Sequence, residues 1–514
     1  MRKSFHFLCM LAGVVCCTML LGAPHAKAQP INVGPNASVF AQPWWTCQRD
    51  FYVATTGDDA NAGTSAAPWK TLQHADSDRI AGDCVHVEPG TYAQGVNIQH
   101  GGNSANVDGW VVWTCTELDA CQITAAGVES DPSFRIINTD GSGPNYIVIN
   151  GFDLAASSAV PYGVGVYTSN NPGGAPIAAR SVHHLVVLNN KIHGFGQAGV
   201  NTNEGDWLFV EWNETYNNAS VTCDAQGSGI TFVVSKDVPN YTPTGFDIAW
   251  GTWTYGNYTY GPFRQVVLYN NSHDNAVTAC GDASDPYDTD GNGIIIDTMN
   301  GAGVDDVWYS GRTLVSNNTV YNNGGKGIQV FRSAHVDVLN NTAYDNNLDP
   351  WESAIPRGEI NFNGVIDGKV YNNVAIPVPA TSASDSRCHG ASYGTPPYVC
   401  PLMSNVSLLA GNSNGAGAVV DSGNSFLNNV TQGGTVDIWG TDKCDGGIAM
   451  FDGDYFPFAC TSNKIGVSAI GIPDLMSNNF IPSATSPVVG YALTNPALNS
   501  DSGACDHTLT GSCP

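Results

Sequence analysis

Residues 314–341 read LVSNNTVYNNGGKGIQVFRSAHVDVLNN, a stretch in which short aliphatic runs end in paired asparagines, as at Asn318 and 23 residues later at Asn341. The theme recurs along the chain. It appears as VVLNN ending at Asn190, VEWNETYNN at Asn218, VVLYNN at Asn271, GKVYNN at Asn373 and SFLNN at Asn429, with 32 residues separating Asn341 from Asn373. Irregular periods in the twenties and thirties mean a solenoid whose coils carry loop insertions. Helical periodicity is nearly absent, and 58 glycines suit tight turns between short strands. The expected fold is therefore all-β, a right-handed parallel β-helix in which each coil adds a strand to several parallel sheets at about 4.8 Å per coil. Asparagines stacked at one turn then hydrogen-bond the neighbouring backbone. The many Asn-x-Ser/Thr sequences are read as such ladder positions rather than as glycosylation sites.

Residues 1–28 have the form of a secretory signal, with Arg2 and Lys3, an apolar run from Phe7 to Leu21, and Ala26-Lys27-Ala28 before the cleavage point. A single β-helix domain is expected over residues 29–514, exported to the extracellular space or the periplasm. No later segment approaches the roughly 18 apolar residues of a membrane span. Twelve of the 15 cysteines lie beyond the signal, an even number that suits disulfides in an oxidising compartment. Short loops would be closed by Cys115/Cys121, Cys388/Cys400, Cys444/Cys460 and Cys505/Cys513, although sequence alone leaves the pairing open. A net charge of −26 excludes nucleic acid as a partner, because binding to phosphates requires a basic surface. The expected partner is a polysaccharide, met by a monomer.

Successive side chains of a strand face opposite ways. Coils align on Gly199-Val200-Asn201-Thr202-Asn203, Gly229-Ile230-Thr231-Phe232-Val233, Gly293-Ile294-Ile295-Ile296-Asp297, Gly327-Ile328-Gln329-Val330-Phe331 and Glu359-Ile360-Asn361-Phe362-Asn363. If the second position of each is core, then Asn201, Asn203, Thr231, Asp297, Gln329, Phe331, Glu359, Asn361 and Asn363 face outward, with Lys326 and Arg332 at their strand's edges. A ribbon of hydrogen-bonding groups along several coils suits an extended glycan; the bland reading is a solvated sheet face. The long insertion between Asn218 and Asn271 carries Trp250, Trp253, Tyr255, Tyr258 and Tyr260. Such rings stack on sugars or form a small core of their own, and Trp253 is the expected substrate contact.

Asp282, Asp285, Asp288 and Asp290 put four carboxylates within nine residues, and Asp288-Thr-Asp290-Gly-Asn292-Gly293 fits the first half of a calcium loop. Met299 stands where the closing glutamate would be, so a complete EF-hand is excluded. A partial Ca2+ site from Asp282, Asp285, Asp288, Asp290 and Asn292 is expected, against an acidic turn that merely caps a strand.

The opening FYVATTGDDANAGTSAAPWKTLQHA (residues 51–75), the strand GDCVHVEPGTY (82–92) and the closing FIPSATSPVVG (480–490) resemble secreted β-helix proteins of the pectate-lyase-like kind. Asp290-Gly-Asn-Gly-Ile-Ile295-Ile-Asp297, followed by Asn322-Asn323-Gly-Gly-Lys326-Gly-Ile, is similar to the family-nine polysaccharide lyases, which are calcium-dependent. The family's catalytic lysine falls on Ile295. The resemblance implies β-elimination, which needs a base for the C-5 proton of a uronide and a cation for the developing anion. Lys326 or His335 would be the base and Arg332 the clamp, with calcium a second cation. The alternative is hydrolysis by Asp297 and Glu359, expected two coils or roughly 10 Å apart before their side chains converge, close to the glycosidase range. A third possibility is a β-helix that binds glycan without catalysis, since fold does not fix function.

Overall fold

The computed structural model describes residues 47–378 apart from several loop segments, and beyond them only short strands and single residues, the last strand being Ala459–Thr461. The signal segment and the closing motif lie outside the described residues, as do the side chains of the cysteine pairs after Cys121. Three long sheets, of twelve, ten and ten strands, run through the described residues and pair in parallel throughout. One coil shows the order. Arg312–Ser316 belongs to sheet I, Thr319–Tyr321 to sheet III and Ile328–Phe331 to sheet II, and Val336–Leu339 returns to sheet I beside Arg312–Ser316. This is the parallel β-helix expected from the asparagine theme.

The core is a column of aliphatic side chains. Val200, Ile230, Ile294, Ile328 and Ile360 stack in register with no exposure, as do Val267, Val315 and Val338 from sheet I. Each contributes about 1.5–3 kcal/mol by leaving water. The edge of the first coil is covered by the helix Leu72–Asp76, whose Gln73 exchanges hydrogen bonds with the backbone of Asn97. A covered edge cannot recruit a foreign strand. Disulfides join Cys47 to Cys84 and, as expected, Cys115 to Cys121. Among the described residues no helix is long and apolar enough to cross a membrane.

The paired asparagines divide their labour at the corner between sheets I and III. Asn189, Asn317, Asn340 and Asn372 have φ of 54, 55, 56 and 60°, the left-handed conformation that asparagine tolerates better than most residues. The residue after each is a ladder rung. Asn190, Asn213, Asn270, Asn318, Asn341, Asn373 and Asn429 form one line, each of the first six donating from Nδ2 to the next Oδ1 at 2.9–3.0 Å. Each rung's backbone N–H also points at that next Oδ1, and its second amide hydrogen returns to a carbonyl of the preceding coil, as from Asn318 to Val267 at 2.9 Å. Asn213 and Asn270, both in Asn-x-Ser/Thr sequences, are buried rungs and closed to glycosylation. Where Trp212 and Tyr269 replace the left-handed asparagine, their rings stack at 4.5 Å.

A second line occupies the corner between sheets III and II. Asn218, Asn275, Asn323 and Asn346 are linked Nδ2 to Oδ1 at 2.8–3.1 Å. Asn346 then donates from its backbone to Glu359 Oε1 at 3.1 Å and from Nδ2 to Oε2 at 2.5 Å. Glu359 ends the line.

Candidate functional site

Sheet II aligns the outward side chains as their strands' alternation requires. Asn201, Thr231, Ile295, Gln329 and Asn361 are mutual register partners, and Asn203, Val233, Asp297, Phe331 and Asn363 form a second row beside them. Four strand steps carry the first row over about 19 Å. That row is a recessed floor, with Thr231, Ile295, Gln329 and Asn361 each 6 % exposed or less. Asn201 Oδ1, Thr231 Oγ1, Gln329 Oε1 and Asn363 Oδ1 are buried and make no hydrogen bond among the described residues. Buried polar atoms in folded proteins are nearly always partnered, so a line of open ones on one face points to a polar ligand or ordered water.

The second row leads to a charged rim where sheet II turns into sheet I. Asp297 accepts the Thr298 hydroxyl and is half-buried. One strand on, Arg332 has φ of 41° and holds its guanidinium 5.2 Å from the Phe331 ring. Its backbone fixes the corner, donating to Asn363 at 2.7 Å and accepting from Met299 at 2.8 Å and Asn300 at 3.0 Å. No carboxylate pairs with its guanidinium among the described residues.

Three residues later His335 is half-buried, with Nδ1 2.9 Å from Asp367 Oδ2. Asp367 also takes Arg312 at 2.8 Å and Lys369 at 2.6 Å. Burial pushes the Asp367 carboxyl up. The His335 hydrogen bond and the charges of Arg312 and Lys369 outweigh it and hold the pKa at about 2. An ionised Asp367 makes Nδ1 the protonated nitrogen of a neutral His335, leaving the Nε2 lone pair free to act as a base. The Trp308 ring lies edge-on to His335 at 5.4 Å between centroids and is 47 % exposed, a free aromatic face beside a base. Trp308 has no periodic neighbours in the sequence, so only its isolation as a large exposed apolar residue could have marked it.

The low Asp367 pKa has a consequence for stability. A carboxyl held below its unfolded value of about 3.9 stabilises the fold above that pH and loses the contribution as pH falls toward 2. Asp367→Asn is expected to flatten the fall of melting temperature between about pH 4 and pH 2; parallel curves for the variant and the parent would contradict it.

Other expected site residues stand elsewhere. Lys326 is fully buried at the opposite corner, its N–H bonded to Asn292 Oδ1 at 2.9 Å, so the exposed strand edge read from the sequence is corrected. The tight turn of Gly324, Gly325 and Gly327 draws it in against the coil before. Glu359 is also corrected: it has no exposure and faces Asn346, which lacks an asparagine in the following coil to accept its N–H groups. The Asp297/Glu359 pair is thus divided between the outer face and an inner corner, and does not form.

Of the expected calcium ligands, Asp282, Asp285 and Asp288 lie outside the described residues. Asp290 is buried at 9 % exposure, and Asn292 is fully buried, donating from Nδ2 to Ser228 Oγ and accepting the Lys326 N–H, so its carboxamide belongs to the turn rather than to an ion. Among the described residues the cluster with metal-ligand spacing is Cys47, Asp50 and Cys84, whose sulfurs are joined in a disulfide. Trp253 lies in an antiparallel hairpin, Trp253–Tyr255 against Tyr258–Tyr260, whose side chains are outside the description.

No protein-family model matches the chain. An uncharacterized protein of Bacillus subtilis (strain 168), YwoF, is 24% identical over 324 residues, 63% of this chain. The match spans 62% of that relative's length. Among solved structures, pectate lyase Pel9A is similar at 14% identity, covering 90% of this chain and 97% of that one with a TM-score of 0.42. XylC in complex with xylose gives 12% identity, coverage of 80% and 83%, and a TM-score of 0.43. The A-module of mannuronan C-5 epimerase AlgE4 from Azotobacter vinelandii gives 12% identity, coverage of 73% and 91%, and a TM-score of 0.34.

Proposed function

We propose that this chain is an exported polysaccharide-active enzyme that cleaves a uronate-bearing glycan by β-elimination, with the sugar chain laid along the outer face of sheet II. The observation that carries the reading is the His335–Asp367 pair in the same corner as the Arg332 guanidinium, which meets no carboxylate among the described residues, beside a row of open polar atoms. In this mechanism His335 Nε2 removes the C-5 proton. The electrons form the C-4 to C-5 double bond, the bond from C-4 to the glycosidic oxygen breaks, and the departing oxygen takes a proton from imidazolium or water. Arg332 faces the uronate carboxylate, whose negative charge grows as the proton leaves. Asp367 keeps the imidazole in its basic tautomer, and Trp308 offers a stacking face for a sugar ring.

The acidic segment with Asp282, Asp285, Asp288 and Asp290 is our assignment for Ca2+, without Asn292. Bound there, the ion would add a second positive charge for an anionic substrate. The elimination itself is assigned to the chain's own residues.

Elimination leaves an unsaturated uronate that absorbs in the ultraviolet. The mature protein, incubated with polygalacturonate, alginate and neutral glycans, is expected to raise absorbance on a polyuronate only. New reducing ends without absorbance would replace elimination by hydrolysis, and binding without either would leave a lectin-like β-helix. EDTA is expected to lower both rate and melting temperature; if neither moves, the calcium assignment is wrong.

A further inference from the structure

The recessed row does not stop at Asn201. Sheet II continues toward the first coil through Val164–Asn170, Phe134–Asn138 and Val96–Ile98, with Asn201 in register with Tyr167, Tyr167 with Arg135, and Arg135 with Asn97. Arg135 is half-buried, its Nε is buried, and it makes no hydrogen bond or ion pair among the described residues. Beside it Asn97 Oδ1 is buried and equally open.

This is not the usual state of an arginine here. Arg49 and Arg79 pair with Asp83, Arg264 with Asp206 and Asp237, and Arg312 with Asp337 and Asp367. The chain has 45 Asp and Glu against 19 Lys and Arg, so carboxylates are not scarce. Among arginines whose side chains are described, Arg135 and Arg332 alone lack one, and both belong to the outer side of sheet II. A partly desolvated guanidinium without an acceptor is unfavourable, and a ligand that supplies the acceptor removes the cost. Arginine's planar fork matches a carboxylate better than any other side chain does.

We propose that Arg135, with Asn97, forms a distal anion subsite that takes the carboxylate of a sugar unit far along the same polymer, Asn97 Oδ1 accepting a sugar hydroxyl. Five strand steps separate it from the strand Ile328–Phe331 that precedes Arg332, about 24 Å along the axis. A polyuronate spanning both ends is held at two cations, whereas a short oligomer reaches one. The protein should therefore prefer long chains and cut within them. The proposal rests on the polyuronate reading above, and its test does not need turnover.

Binding of the full mature chain to polygalacturonate and alginate is measured by affinity electrophoresis and calorimetry, beside a short oligogalacturonate. Arg135→Gln is expected to weaken binding of the polymer at least tenfold, to leave the short oligomer much less affected, and to be partly rescued by Arg135→Lys. Its melting curve should match the parent's. Unchanged polymer affinity in Arg135→Gln, equal losses for polymer and oligomer, or no polyuronate binding by the parent would overturn the subsite. If the parent releases no unsaturated product yet Arg135→Gln still loses the polymer, elimination falls and the subsite stands. If product forms and Arg135→Gln binds normally, the reverse holds.

Discussion

Asn341→Leu is expected to destabilise the protein by about 3–6 kcal/mol. Asn341 receives both the backbone and side-chain N–H groups of Asn318, at 2.9 and 3.0 Å, and donates to Val315 O at 2.9 Å and Asn373 Oδ1 at 3.0 Å. Leucine fills the same space but supplies none of these partners. Two donors of Asn318, the Val315 carbonyl and half of the Asn373 oxygen's bonding are then left buried and unmet, each at about 1–3 kcal/mol. The neighbour Asn340 provides the control. Its conformation, φ 56°, is the costly one for alanine, by about 1–2 kcal/mol, so Asn340→Ala should fall well short of Asn341→Leu. Denaturant midpoints and melting temperatures read both. A loss at Asn341 no greater than at Asn340 would mean that the ladder contributes little.

His335→Ala is expected to lower kcat for elimination by about 10²–10⁴, the usual contribution of a positioned base, with the melting temperature little changed. The imidazole lies on a half-exposed corner, so its removal opens no core cavity. Arg332→Gln should also reduce the rate, but with a rise in KM, because the guanidinium meets the carboxylate before and during proton removal. Product formation by His335→Ala within tenfold of the parent would assign the base elsewhere. The prediction depends on elimination being the reaction; the binding measurements on Arg135→Gln do not.

The architecture was open to reading because a solenoid repeats its instructions. Paired asparagines gave the corners, and aligning coils on their aliphatic second positions gave the register of sheet II, so that Asn201, Thr231, Gln329 and Asn361 fall in one row. Alternation applies within a strand and fails at its corners. Glu359, next to the core residue Ile360, counts as outward by alternation, yet it is turned by Asn346, thirteen residues earlier, which has N–H groups to satisfy. Lys326 was placed at a strand edge by the same counting, where three glycines fold the turn back on Asn292. The pairing of His335 with Asp367, and the exposure of Trp308 beside it, join residues from neighbouring coils at positions with no repeat to announce them. A one-coil pattern cannot encode a contact that depends on the coil after it.

The asparagine seam also has a sense of travel. From Asn190 to Asn373 the main-chain N–H of each rung points to the coil that is synthesised after it, not to the one before. Cutting the solenoid ahead of a rung therefore strands the rung's own amide, whereas cutting behind it strands side-chain groups and the amide of the residue that follows, as Thr342 donates its N–H to Asn318 O. The two ends of the stack are unequal along this seam: the later end presents the amides of the rungs, the earlier end those of the residues that follow them.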